Sequence, residues 1–274
     1  FILVGMSSIS ESANIAKSKA FSDSLRNPLL TNLVSEWKLD DGSVSQTNTI
    51  DNWSGQNNGN LYNFDFNNDS GWRSSSSCLS GSCLQFDGSN DYVDFSNNSN
   101  LDITEELTIS LWVKPESLTN GNLIRRYYYN STSDNGGYAI RWWSGSIYYF
   151  LLFNNAQYGL NYTGKLNAWT NVVGTYNKNI STNNVNLYIN GSLVATQTRS
   201  NAIKGGSRNL QFNYGYYLDG FMDEICIYNA TISTSQIEQN YFLGLNKLFK
   251  NNGITLNEYT ERLVELKSNI ANNE

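Results

Sequence analysis

Tyr127, Tyr128, Tyr129, Trp142, Trp143, Tyr148 and Tyr149 crowd between positions 127 and 149. An aromatic ring turned to solvent stacks on the apolar face of a sugar, and Arg or Asn beside it can bond the hydroxyls. Successive residues of a strand face opposite ways. One member of Trp142-Trp143 and one of Tyr148-Tyr149 therefore face the core, and the other two face out. Tyr128, Arg141, Trp143 and Tyr148 are the ligand-binding candidates, with Asn130 and Asn154 nearby. The alternative is that these rings fill a wide core and support cross-strand pairs.

Catalytic groups are sparse. The chain has no histidine, which excludes a histidine-dependent triad or metal centre. A glycosidase with paired carboxylates needs them on one strand face, spaced as Glu-x-Asp-x-Glu or similar, aimed into a cleft. No stretch has that spacing. Asp91 and Asp94 are three apart and so face opposite ways, Asp223 and Glu224 are adjacent, and Glu105-Glu106 reads as a solvated pair before a strand. Binding rather than catalysis is the expectation.

There are three cysteines. Cys78 and Cys83 flank a tight loop, CLSGSC, with Gly81 at its turn, and can form a disulfide if the geometry allows. A disulfide would place the chain in an oxidising compartment; the alternative is two unpaired thiols. The spacing is not a usual zinc half-site. Cys226 is left over, a small half-buried residue on an alternating strand.

Net charge is −6 and the acid excess sits in residues 31–245. Nucleic-acid binding is not expected, since phosphate attraction needs clustered Lys and Arg.

The elements that must carry these groups are mostly strands. LVSEWKL (33–39), DYVDF (91–95), LTISLWV (107–113), YAIRWW (138–143), NVVGTY (171–176) and VNLYIN (185–190) alternate apolar and polar residues. Turn signals separate them, with Asn190-Gly191 the strongest hairpin signal. A dozen or so strands at this spacing predict a mainly β, two-sheet antiparallel sandwich.

The ends are helical. In residues 1–27, Ile2, Met6, Ile9, Ala13, Ala16 and Ala20 form one apolar stripe that stops at Asn27-Pro28. Ser233 with Gln236, and Thr255 with Glu258, are capping boxes that start two C-terminal helices. These are expected to pack on each other and on the N-terminal helix. The division is a helix over 1–30, a β domain over 31–232 and a helical hairpin over 233–274.

Three segments resemble the laminin-G-like, concanavalin A-like jelly roll of many bacterial surface proteins: LVSEWKLDDG (33–42); CLQFDGSNDYVDF (83–95) with LDITEELTISLWVKP (101–115); and LDGFMDEICIYNATISTSQIEQNY (218–241). The resemblance implies an extracellular or cell-surface binding module for a glycan or another surface ligand. It also implies a structural Ca²⁺ held by Asp223 with the loops at Asp40-Asp41-Gly42 and Gly88, where hard oxygen donors would suit the ion. ILVGMSSISESANIAKSKAFSDSLRN is similar to the lower stem helix of type IV pilin-like proteins. That likeness implies self-assembly through the N-terminal helix, and membrane contact only through an apolar segment upstream of Ile2. A ligand-free pilin-like subunit and a divergent glycoside hydrolase are the competing functions.

Overall fold

The structure is a computed structural model that describes residues 31–42, 46–74, 77–128, 136–153, 156–206 and 208–273. The expected helix over 1–30, with its stem and self-assembly reading, lies outside the described residues.

Within them the chain forms two antiparallel sheets. Sheet A contains β1 (Leu33–Trp37), β4 (Gly71–Ser74), β5 (Ser82–Asp87), β7 (Glu106–Pro115), β12 (Thr170–Asn177), β13 (Val185–Ile189), β14 (Ser192–Gln197) and β16 (Asp219–Tyr228). Its order is β14-β13-β12-β7-β16-β5-β4. The first half of β16 pairs with β5 and its second half with β1. Sheet B contains β2 (Asn48–Thr49), β3 (Gly59–Tyr62), β6 (Tyr92–Phe95), β8 (Gly121–Tyr128), β9 (Gly136–Trp143), β10 (Ser146–Phe153), β11 (Ala156–Thr163) and β15 (Gln211–Phe212). Its order is β11-β10-β9-β8-β15-β6-β3-β2.

The alternation seen in the sequence is the cause of this layering. One face of each sheet supplies a shared core that includes Trp37, Phe86, Phe95, Tyr138, Trp142, Tyr149, Tyr176 and Phe212, all essentially inaccessible to water. Burying each such ring stabilises the fold by roughly 1.5–3 kcal/mol. Polar atoms on these rings are mostly satisfied: the indole N–H of Trp37 donates to the Asn57 carbonyl at 2.8 Å and that of Trp142 to the Ser117 carbonyl at 3.0 Å. The Asn190-Gly191 signal is realised as the β13–β14 hairpin. Both residues have φ above zero, 51° and 81°, as a two-residue hairpin turn requires.

The two C-terminal helices are α1 (Thr234–Lys250) and α2 (Leu256–Asn273). The Ser233–Gln236 capping box forms in full. At the second, the Glu258 N–H donates to Thr255 Oγ1 at 3.2 Å. The two helices pack on each other and on the outer face of sheet A, and their expected contact with the N-terminal helix lies outside the described residues. Tyr241, Leu245 and Leu248 of α1, with Leu266 of α2, join Trp112, Trp169, Phe221 and the cysteine loop in one cluster. The physical reason is parity: Trp112 and Phe221 point away from the sandwich core and need a cover.

The approach is closest at Gly244, where a Cβ would overlap the Trp112 indole. Gly244→Val is therefore expected to lower stability by about 1–3 kcal/mol, as overpacking does. Urea unfolding of the variant against the wild type measures this; an unchanged midpoint would mean that the helix does not pack there.

Candidate functional site

The two outer faces of the sandwich are different surfaces. That of sheet A lies under α1 and α2. That of sheet B carries a band of aromatic rings and two arginines.

Strand parity builds the band. In β9, Tyr138, Ile140 and Trp142 point in, which sends Arg141 and Trp143 out. In β10, Ile147, Tyr149 and Leu151 point in, which sends Tyr148 and Phe150 out. Register then sets neighbours: Tyr148 stands directly across from Arg141, and Phe150 from Ala139, which stands across from Arg125 of β8. Arg125 and Tyr127 share the outward side.

The contacts are mutual. The Arg141 guanidinium lies 5.0 Å from the centroid of Tyr127 and 4.8 Å from that of Phe150, and it donates to the Tyr127 hydroxyl. Arg125 lies 4.7 Å from Tyr127 and 5.2 Å from Tyr214. Tyr148 stacks with Phe150 at 5.6 Å, and Trp143 meets Tyr216 edge-on at 4.6 Å. Beyond β15 the band continues through Tyr92, which stacks with Tyr62 at 4.9 Å and meets Tyr214 at 5.0 Å. From β10 to β3 is five strand spacings, about 24 Å at ~4.8 Å each.

Three of the four sequence candidates, Arg141, Trp143 and Tyr148, therefore share this face. Tyr128 ends β8, and its side chain lies outside the described residues. The expectation that one ring of each aromatic pair faces in holds for Trp142 and Tyr149. Tyr127 was seen in the aromatic run but not singled out, and Arg125, Phe150, Tyr214, Tyr216, Tyr92 and Tyr62 were missed. The signal for the first two was the period-two step from Arg125 to Tyr127, which matches Arg141 to Trp143; Tyr214 and Tyr216 sit in a loop without periodicity.

That loop is held from below. Asn213 donates from Nδ2 to the Asp91 carbonyl at 2.9 Å and accepts the Leu218 N–H at 2.6 Å. Asp91 is buried and accepts the Asp87 N–H through Oδ2 at 3.1 Å, while its Oδ1 has no partner. Burial raises its pKa from 3.8 to about 7. The native state thus holds a proton that the unfolded state gives up near pH 4. The resulting stability is complete below pH ~4 and is lost as pH rises toward 7, by up to about 1.4 kcal/mol per pH unit. Denaturation of Asp91→Asn between pH 5 and 7 is expected to lack this slope; a slope equal to the wild type's would contradict it.

Of the residues expected to hold Ca²⁺, Asp40 and Asp223 are near one another and Gly88 is apart. Gly88 lies beside Asp219, while Asp223 is four residues further along β16, about 13 Å away at ~3.3 Å per residue. Asp40 is on the Asp223 side and accepts the Ser82 N–H at 2.8 Å. Asp223 is buried, and its oxygens accept the Leu79 N–H at 3.1 Å and the Glu224 N–H at 2.8 Å. Burial first, then the Glu224 charge, holds its carboxyl well above the usual range. Both oxygens of Asp223 are thus taken up by backbone amides. Among the described residues no three His, Cys, Asp or Glu side chains are grouped to hold a metal ion.

Cys78 and Cys83 are disulfide-bonded, with Cα atoms 5.3 Å apart. Cys226 is half-buried, as expected, and burial pushes its thiol pKa up. A separate cleft of about 290 Å³ opens between the end of β11, the β13–β14 hairpin and α2, lined by Tyr162, Lys165, Thr170, Asn190 and Glu265 among others. Among the described residues no helix is long and apolar enough to cross a membrane.

Two antiparallel sheets packed face to face in this order make a jelly-roll sandwich. The chain belongs to the concanavalin A-like lectin/glucanases superfamily, whose Laminin_G_3 model matches residues 87–238. No curated protein matches it by sequence. Solved structures share the fold. The receptor-binding domain of botulinum neurotoxin mosaic serotype C/D superposes with a TM-score of 0.60 at 16% identity, covering 79% of this chain and 52% of that one. The binding domain of Paraclostridial Mosquitocidal Protein 1 gives 0.60 at 16%, covering 80% and 53%. The botulinum neurotoxin serotype D ligand-binding domain in complex with N-acetylneuraminic acid gives 0.60 at 19%, covering 80% and 52%. The chain spans about half the length of each, and identities this low speak for the fold alone.

Proposed function

We propose that this chain is a non-catalytic carbohydrate-binding module and that its ligand lies along the outward face of sheet B. The observation that carries the reading is the contrast between the two outer faces. Sheet A is closed by α1, α2 and the disulfide loop, while β8, β9 and β10 turn Arg125, Tyr127, Arg141, Trp143, Tyr148 and Phe150 outward. Rings with polar cations between them match the alternating apolar faces and hydroxyl edges of an oligosaccharide.

The relatives support this reading. They are binding domains, and one was solved with N-acetylneuraminic acid. The family also includes glucanases by its description. Against hydrolysis, strands β8 to β11 contain no Asp or Glu, so a carboxylate pair would have to come from elsewhere. The disulfide and the family together favour an extracellular setting, consistent with recognition of a cell-surface glycan.

The test is binding of the full chain to an array of immobilised glycans. Saturable binding to a related subset is expected. Failure to bind any glycan, at a concentration that would detect millimolar affinity, would reject the reading.

A further inference from the structure

The protein is acidic overall, yet the band on sheet B places two arginines side by side. Arg125 and Arg141 flank the same Tyr127 ring, at 4.7 and 5.0 Å from its centroid, so their guanidinium carbons are less than 10 Å apart. Like charges this close repel and would be expected to recruit a carboxylate. No described Asp or Glu forms an ion pair with either. Among the described residues the strand carboxylate turned to this face is Asp94, on the far side of Gln211 from Arg125. Its oxygens are already engaged, accepting from Gln211 Nε2 at 2.7 Å and Asn209 Nδ2 at 2.9 Å.

The pair is also held in place. Rings lie against both guanidinium groups. Arg125 donates to the Tyr214 carbonyl at 3.3 Å, and Arg141 to the Tyr127 hydroxyl. Arg141 Nε is shielded from water and makes no hydrogen bond. Partial burial first, and the neighbouring Arg141 charge as well, act to lower the Arg125 pKa. Rigid guanidinium forks with donors left over are suited to planar carboxylate or sulfate groups. Rings beside them suit the sugar that bears the group.

We infer that the Arg125–Arg141 pair selects acidic glycans, those whose sugar carries a carboxylate or a sulfate, over their neutral counterparts. This rests on the carbohydrate-binding reading above and adds the ligand class and the residues that set it. The anion sits between the two forks, where no described carboxylate pairs with them. The rings on either side, Tyr148 and Phe150 toward β10 and Tyr214 across β15, hold the rest of the chain.

Matched pairs of oligosaccharides test it on the full chain by isothermal titration calorimetry: 3′-sialyllactose against lactose, an oligogalacturonate against its methyl ester, and a heparin fragment against its desulfated form. At least one acidic member is expected to bind about tenfold or more tightly than its neutral twin, and the advantage should shrink at high salt. Arg125→Gln/Arg141→Gln should erase the difference, with unchanged circular dichroism, while Arg125→Lys/Arg141→Lys keeps part of it. Equal affinity for acidic and neutral members, or an acid preference that survives the Gln double variant, overturns the inference and leaves the carbohydrate reading standing. If the wild type binds no sugar of either kind, both fall. The salt dependence of the wild type is informative even if the double variant does not fold.

Discussion

Trp143→Ala/Tyr148→Ala is expected to weaken oligosaccharide binding by about 100-fold while the protein stays folded. Each ring that a sugar covers contributes about 1.5 kcal/mol from area and stacking, and two such losses make roughly two decades in affinity. Stability should change little, because both rings are half-exposed and each has one ring contact, Trp143 with Tyr216 and Tyr148 with Phe150. Trp53→Ala is the control: Trp53 is also solvent-exposed, at 43%, but sits in a loop before β3. Calorimetric titration of the three proteins measures the contrast. If Trp53→Ala costs as much as the pair, or the pair costs nothing, the ligand is bound elsewhere.

Asp223→Ala should be the most destabilising single change on the outer face of sheet A. Its carboxyl accepts the N–H of Leu79 inside the disulfide loop and that of Glu224, which stands at φ 48° in the β16 bulge. The same loop is tied to α1 through Asn251 Nδ2 on the Cys78 carbonyl at 3.1 Å, and to Trp169 through its indole N–H on the Ser77 carbonyl at 3.0 Å. Truncation leaves two buried donors unpaired, at about 1–3 kcal/mol each. A loss of about 3 kcal/mol lowers Tm by roughly 6–12 °C in a domain of this size. Asp223→Asn should cost less than Asp223→Ala, because its amide oxygen still accepts one of the two N–H groups, although its NH2 cannot accept the other. Differential scanning calorimetry separates the two variants. Equal losses would mean that keeping one of the two accepted hydrogen bonds contributes nothing to stability.

The sandwich was legible because its strands alternate. LTISLWV, YAIRWW and NVVGTY were placed correctly, and the same alternation told that Trp142 and Trp143 face opposite ways. The Ser233–Gln236 cap was equally readable, since it depends on four consecutive residues. What alternation could not give was the partner of each strand. Only the order β10-β9-β8 brings Tyr148 to Arg141 and both arginines to Tyr127. Strand order also decides that Gly88 and Asp223 are at opposite ends of the first half of β16. Tyr214 and Tyr216 reach the site from a loop whose path is set by Asn213 hydrogen bonds, and no pattern in the chain announces that. The hairpin's target was hidden for a similar reason: a strand residue such as Trp112 can be covered by the other sheet or by a helix, and the sequence looks the same.

The most direct test of the account is amide hydrogen exchange of the full chain with and without its best-binding glycan at saturation. Slowed exchange is expected in peptides spanning β8, β9 and β10 and in the segment 213–217, with β12 to β14 and both helices unchanged. Protection confined to sheet A, or to the cleft beside α2, would contradict it.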